Sequence, residues 1–116
     1  MWRLIGITLP QYKDWEKEKQ IIKNLLQNNE IEYFHIRKPE FTSMQMSLWL
    51  EDLPLAIRKR LSLHDCLEVA KEFQIGGVHL NKRNNYTAPF AFEGRITRSC
   101  HSIEEVGKWK SKCDYV

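Results

Sequence analysis

The sequence has few cysteines and no long apolar run, and these absences exclude several classes of protein. The three cysteines are odd in number and none is spaced as Cys-x-x-Cys, so the pattern favours free thiols in a reducing cytosol over a disulfide framework. No stretch of roughly 18 apolar residues and no signal-peptide hydrophobic region occurs. We therefore expect a cytoplasmic protein with no membrane partner.

Neither sign of charge is in large excess, and glycine is scarce. Lys and Arg number 18 against 15 Asp and Glu, so no nucleic-acid partner is indicated, and the basic run at 57–60 is interpreted as a solvated helix end. The five glycines form neither GxGxxG nor a P-loop pattern, which weakens the case for a nucleotide-binding open sheet. With 42% hydrophobic and 28% charged residues, the 116 residues suit one globular domain.

Short apolar segments alternate with helical ones along the chain. Apolar residues recur at helical spacing in 12–29 and 42–60, the second interrupted near Pro54, and capping-box patterns predict helices that begin at Asp65 and Ser102. Parallel strands need crossovers of this length, so the pattern predicts a parallel sheet covered by helices, either an open doubly wound sheet or a (β/α)8 barrel. The strands are predicted at 3–8, 33–37, 61–64, 77–80 and 95–99, with a sixth beginning at 114–116.

Nearly every predicted strand has one aliphatic face and one small or polar face. In the first strand Ile5 and Ile7 are assigned to the helix-facing side, and Gly6 to the axis of a barrel. Functional groups of such barrels come from the carboxyl ends of the strands, and there the fork of Arg37 would meet an anion. All four histidines occupy such ends. The polar faces end in Thr8, His35, Arg37, His64, His79, Ser99 and His101.

Structural explanations of these residues stay open beside the functional one. A single histidine at a strand end is often only a hydrogen-bonded structural residue, and Asp65 would be explained by a helix N-cap alone. Four histidines at equivalent positions instead favour one shared functional mouth.

The length conflicts with a closed barrel. A (β/α)8 barrel needs roughly 200 or more residues, and this sequence has 116. Open first and last strands invite pairing with another chain. We therefore expect residues 1–116 to be the N-terminal portion of a single barrel domain, truncated to strands one to five and the start of strand six, and to self-associate through its open sheet edges.

Five segments in order resemble one known family, the thiamine-phosphate synthases, with the related thiazole tautomerases. The segments are "LIGIT", "FHIRKPE", "LSLHDCLEVA", "IGGVHLN" and "TRSCHSIEEV", each at a predicted strand end. The resemblance implies a (β/α)8 barrel and a transferase of thiamine biosynthesis. Such an enzyme couples hydroxymethylpyrimidine diphosphate to thiazole phosphate through a carbocation-like species and releases pyrophosphate with help from Mg²⁺.

The resemblance also implies a set of diphosphate-binding residues. The family's second strand ends in a Gln-x-Arg-x-Lys pattern. Here Arg37 matches, His35 replaces the glutamine, and Pro39 stands at the lysine position, so Lys38 is the candidate substitute. The implied diphosphate-binding set is His35, Arg37, Lys38, His64 and Ser99.

Magnesium ligands and catalytic groups are implied by the same resemblance. Asp65 carries over as a Mg²⁺ ligand, and Asn84 takes the place of a second aspartate, although a neutral amide oxygen is a weaker ligand for this cation. Ser99 and His101 are the implied catalytic residues. The later lysine and the glycine-rich phosphate loops are absent from these 116 residues, so we expect the chain to be inactive alone.

Three alternatives remain at this point. A thiazole tautomerase would use His101 as its acid and base and would need no Mg²⁺; His35 and the "RSCHS" segment favour it, whereas Asp65 and Asn84 favour the synthase. A non-catalytic ligand-binding remnant is the second. The third is a transition-metal site built from the four histidines, which lack any HExxH-like local spacing.

Overall fold

The computed structural model describes residues 4–100 and 102–109, and in them it confirms the expected parallel α/β arrangement. The described part contains one sheet in the order β1-β2-β3-β4-β5, with every neighbouring pair parallel. Its edges are β1 and β5, so barrel closure is not seen within these residues. The predicted sixth strand at 114–116 lies outside them. The strands are β1 Ile5–Ile7, β2 Tyr33–Ile36, β3 Leu61–Leu63, β4 Gly77–Leu80 and β5 Arg95–Arg98.

The helices begin where the sequence supplies caps. In the described residues they are α1 Trp15–Gln27, α2 Ser43–Leu50, α3 Leu55–Arg58 and α4 Ile103–Trp109. The Asp14 side chain accepts a hydrogen bond from the Lys17 amide at the start of α1, and Thr42 forms a capping box with Gln45 at the start of α2. Pro54 precedes α3, which confirms the predicted interruption. No helix of the described residues is long and apolar enough to cross a membrane.

The prediction that a helix begins at Asp65 is wrong. Only a short 3₁₀ turn, Leu67–Val69, forms there, and Cys66 adopts a left-handed conformation with φ of 56°. The Asp65 carboxylate does not cap that turn. It accepts hydrogen bonds from the Lys38 amide and the Arg83 guanidinium instead. Tertiary partners have therefore overridden a local capping pattern.

The sheet buries its aliphatic face under the helices as expected, with one exception. The register aligns Phe34 with Leu61 on that face and His35 with Ser62 on the other. In β1 the assignment is reversed, because Ile7 aligns with His35 and is 55% exposed. Gly6 faces the helices, and a Cβ atom there would lie 2.5 Å from the Phe34 ring. The core residues that pack under the sheet include Ile22, Leu26, Ile36, Met46, Trp49, Leu50, Leu63 and Val78.

The basic run at 57–60 is not a solvated helix end. The Arg60 guanidinium donates hydrogen bonds to the carbonyls of Leu26, Ile31 and Glu32 at 2.6–2.9 Å. Arg58 donates to the Phe73 carbonyl at 2.8 Å. These two arginines therefore connect the amino end of β3 to two other segments. Arg60 binds the segment that follows α1, and Arg58 binds the segment that follows the 3₁₀ turn.

Candidate functional site

A cavity of about 460 Å³ opens at the carboxyl ends of the strands, where the sequence places the functional mouth. It contains four of the predicted site residues, namely His35, Arg37, His64 and Ser99. The parallel strands bring these residues together from three separate segments of the sequence. The full lining is Ile5, Gly6, Ile7, His35, Arg37, His64, His79, Asn81, Arg83 and Ser99.

Three imidazoles pack against one another at the base of the cavity, and we call His35, His64 and His79 the histidine cluster. His35 Nδ1 lies 2.7 Å from His64 Nε2. The rings of His64 and His79 stack with centroids 4.1 Å apart, and His35 meets each of them edge-on. The three side chains come from the ends of β2, β3 and β4, so the backbone holds them in place.

Hydroxyl groups of β5 and the residue after it orient His79. Its Nδ1 atom lies 2.6 Å from Thr97 Oγ1, and its Nε2 atom lies 2.8 Å from Ser99 Oγ. Thr97 Oγ1 donates in turn to the Val78 carbonyl at 3.5 Å, which assigns the ring proton to Nδ1. The lone pair of Nε2 therefore points towards Ser99 and the cavity.

Burial keeps the histidine cluster neutral. It lowers the pKa of His35 to about 4, with further repulsion from His79 and Arg95. Burial, and then the charges of its cluster neighbours and two arginines, lower the pKa of His64 to about 2. Burial and Arg83 lower the pKa of His79 to about 4. At neutral pH each ring thus offers one N–H donor and one lone pair.

Arg37 is placed as the sequence predicts. Its backbone is fixed to the end of β1, since Thr8 Oγ1 accepts from the Arg37 amide at 2.9 Å and donates to its carbonyl at 3.2 Å. Among the described residues its guanidinium makes no hydrogen bond or ion pair. A planar cationic fork is therefore directed into the cavity with its donors available.

Arg83 is a functional candidate that the sequence analysis missed. It lines the cavity and forms an ion pair with Asp65, with Nε–Oδ1 at 2.9 Å. It follows β4 by three residues, and its position at a strand end was the signal that could have identified it. The cavity thus holds two guanidinium groups beside the neutral imidazoles.

Lys38 does not join the site, which corrects its prediction as a diphosphate ligand. Its Nζ atom lies 2.8 Å from Glu18 Oε2 and 2.9 Å from the Leu9 carbonyl, under α1. Arg37 and Lys38 are consecutive residues at the end of an extended segment, so their side chains leave on opposite faces. The Lys38 ammonium is buried on the helix side.

Asp65 and Asn84 do not fit a Mg²⁺ site in this arrangement. Both Asp65 oxygens accept hydrogen bonds, from the Lys38 amide and from Arg83. The Asn84 oxygen accepts from the Asn81 amide, and its nitrogen donates to the carbonyls of His64 and His79. Magnesium requires oxygen atoms that are free to converge on it. These oxygens instead hold together the loop after β4.

The predicted catalytic pair is described only in part. Ser99 lies in the cavity and contacts His79, as stated above. His101 lies outside the described residues. The fold and the cavity together define the class: an α/β protein whose cationic and titratable groups gather at the carboxyl ends of parallel strands.

Comparison with solved structures supplies a particular protein to which this chain is similar. It is the crystal structure of thiamine phosphate pyrophosphorylase from Bacteroides thetaiotaomicron, 34% identical with a TM-score of 0.87. The match covers 99% of this chain and 56% of that one, so this chain spans little more than half of its length. No family model matches the sequence, and no curated protein matches it. The expected resemblance is confirmed at the level of a similar solved structure.

Proposed function

We propose that this chain belongs to a transferase of thiamine biosynthesis. The reaction would couple hydroxymethylpyrimidine diphosphate to thiazole phosphate with release of pyrophosphate. The observation that carries the proposal is the likeness to the pyrophosphorylase, which extends over 99% of this chain with 34% identity. That likeness supports thiamine biosynthesis, and the particular reaction is the finer part of the proposal.

The composition of the cavity supports a diphosphate ligand. Arg37 offers a guanidinium with no protein acceptor among the described residues, and Arg83 lies in the same lining. Negative charge builds on a departing diphosphate, and such charge is stabilised most by donors that are already oriented in a partly desolvated site. The Ser99 hydroxyl lies in the same lining and contacts His79 Nε2. This chain's contribution would be to bind and orient the diphosphate rather than to exchange protons with it.

Magnesium is a separate part of the proposal. Asp65 and Asn84 do not offer it converging oxygens here, so we derive no step through it. Self-association through the edges of β1 and β5, and a cytoplasmic location, remain predictions; sedimentation velocity tests the first.

A thermal-shift experiment tests the proposed ligand. Pyrophosphate at 100 times its dissociation constant should stabilise the chain by about 2.7 kcal/mol through mass action. The Arg37→Ala variant should lose this protection because the main unpaired fork is removed. The matched control is Lys59→Ala, which deletes one positive charge at the exposed C-terminus of α3, outside the cavity lining. The measurement is made with and without Mg²⁺, which tests the magnesium prediction separately.

The outcome separates the alternatives. Equal protection of the wild-type chain and Arg37→Ala, or none in either, would refute the diphosphate site. Protection by thiazole carboxylate phosphate alone, sensitive to His101→Ala, would support the tautomerase. A non-catalytic remnant that binds some other ligand would respond to neither compound.

A further inference from the structure

We propose that His35, His64 and His79 hold a divalent transition-metal ion through one ring nitrogen each, with a fourth coordination position open to the cavity. The candidate nitrogens all lie within 4.8 Å of one another. Bonds of about 2.0–2.1 Å in a tetrahedral zinc site place ligand nitrogens about 3.3 Å apart. The difference is within reach of side-chain rotation, because the χ2 angle of histidine is broad.

The scaffold favours a preformed site. Each imidazole comes from a different parallel strand, and the neighbouring pairs are in register as Phe34–Leu61 and Leu63–Val78. The ligands are therefore set by the sheet rather than by a mobile loop. Three histidines with an open fourth position are a ligand set that zinc enzymes use.

A hydrogen bond from outside the cluster already orients one of the three ligands. Thr97 fixes the His79 ring with its proton on Nδ1, which leaves the Nε2 lone pair for a metal in place of the Ser99 hydroxyl. A partner on the far nitrogen of a ligating imidazole is a usual feature of such sites. His35 Nδ1 and His64 Nε2 now share one proton at 2.7 Å. That proton would move to the other nitrogen of its ring, and the metal would take its place.

The chemistry of the donors selects the ion. Neutral imidazole nitrogen suits zinc, cobalt, nickel and copper, whereas magnesium prefers oxygen. Arg37 and Arg83 oppose a bare dication electrostatically, and for that reason they favour an anionic fourth ligand such as hydroxide or a phosphate oxygen.

Cobalt absorption tests this site without any activity assay. Chain stripped with EDTA is titrated with Co²⁺, and we expect one ion per chain with the intense visible absorption of a tetrahedral site. No thiolate-to-cobalt band should develop. Zn²⁺ should displace the cobalt, and excess Mg²⁺ should not. The probe is the metal alone, so a failure of the pyrophosphate experiment does not affect the result.

Variants assign the ligands. His35→Gln and His64→Asn keep a polar amide but remove the imidazole, and each should weaken Co²⁺ binding by at least about 100-fold. Thr97→Val should weaken it by about 10-fold, because it removes only the partner of His79 Nδ1. Cys66→Ser and Cys100→Ser are the matched controls, since both thiols are free, and neither should change the spectrum.

Three results would overturn the proposal. They are a weak octahedral spectrum, cobalt binding that survives in folded His64→Asn, and loss of the spectrum in either cysteine variant. Circular dichroism establishes that each variant is folded. If His64→Asn does not fold, Thr97→Val decides, and unchanged affinity in that variant counts against the site.

Discussion

The buried ion pair between Lys38 and Glu18 gives the sharpest stability prediction. Their side chains are 1% and 7% exposed, and Nζ–Oε2 is 2.8 Å. The remaining Glu18 oxygen accepts from Trp49 Nε1 at 3.3 Å, and Lys38 also donates to the Leu9 carbonyl. Lys38→Met removes one charge and leaves a carboxylate buried beneath α1. Removing one partner of such a pair costs about 3–5 kcal/mol.

Urea denaturation measures this loss as the change in the free energy of unfolding, with the slope checked for constancy. The matched control is Lys19→Met on α1. Lys19 is also buried, but its partners Asp52 and Glu16 are 53% and 79% exposed and can be hydrated after the lysine is removed. The control should cost about 1 kcal/mol or less in ion-pair energy. The double variant Lys38→Met, Glu18→Leu should lose less than the sum of its single changes.

The Lys38→Met variant also tests whether Lys38 belongs to the ligand site. If Lys38→Met folds, its stabilisation by pyrophosphate should equal that of the wild-type chain. A cost below about 0.5 kcal/mol together with lost protection by pyrophosphate would refute the reasoning. That result would place the ammonium in the cavity rather than under α1. Should Lys38→Met not fold, Glu18→Gln provides a milder test of the same pair.

Two further predictions concern stability. Arg60→Ala should lower the free energy of unfolding, measured in urea, by about 2–4 kcal/mol, because three carbonyls lose a charged donor. The control Arg58→Ala removes the donor of one carbonyl and should cost about 1 kcal/mol. Equal costs in the two variants would contradict this account. Acid should destabilise the metal-free chain, because the cluster pKa values are lower in the folded state than in the unfolded one, so unfolding takes up protons. The free energy of unfolding should be unaffected by these histidines above about pH 6.5 and should decrease as the pH falls towards 4, by about 2 kcal/mol per histidine at pH 5. Urea unfolding at pH 7, 6 and 5 should show a shallower pH dependence in His35→Gln than in the wild-type chain.

The sheet was predictable because its signal is periodic and repeated. Strands β2 to β4 each alternate apolar residues with small or polar ones, so the face of His35 and His64 follows from the period of two. The alternation is interrupted in β5, where Arg98 shares a face with Ile96. In β1 the sequence does not decide which face packs against the helices, since Ile5 and Ile7 are apolar and Gly6 is small. The close approach of the Phe34 ring to Gly6 decides the face. That contact joins residues 28 positions apart, and no local pattern encodes it.

The errors at Asp65 and Lys38 have a common cause. Both residues have strong local roles, as a helix cap and as a phosphate-binding cation, and both meet tertiary partners that compete for the same atoms. Asp65 is held by Arg83, and Lys38 is held by Glu18. The Coulombic attraction within an ion pair is stronger in a desolvated environment than the attraction between a helix cap and its amides in water. Sequence reasoning could weigh each local role, but not the partners that long-range folding would bring.

The two ligands proposed for the cavity make opposite demands on the same rings. An anion needs imidazole N–H groups directed into the cavity, and a metal ion needs lone pairs there. A neutral imidazole has one of each, so the hydrogen-bond partner of its far nitrogen decides which one the cavity receives. For His79 that partner is Thr97, and it turns the lone pair towards the cavity. The anion-binding task then falls to Arg37, whose guanidinium carries donors only, and a metal-bound anion would satisfy both groups at once.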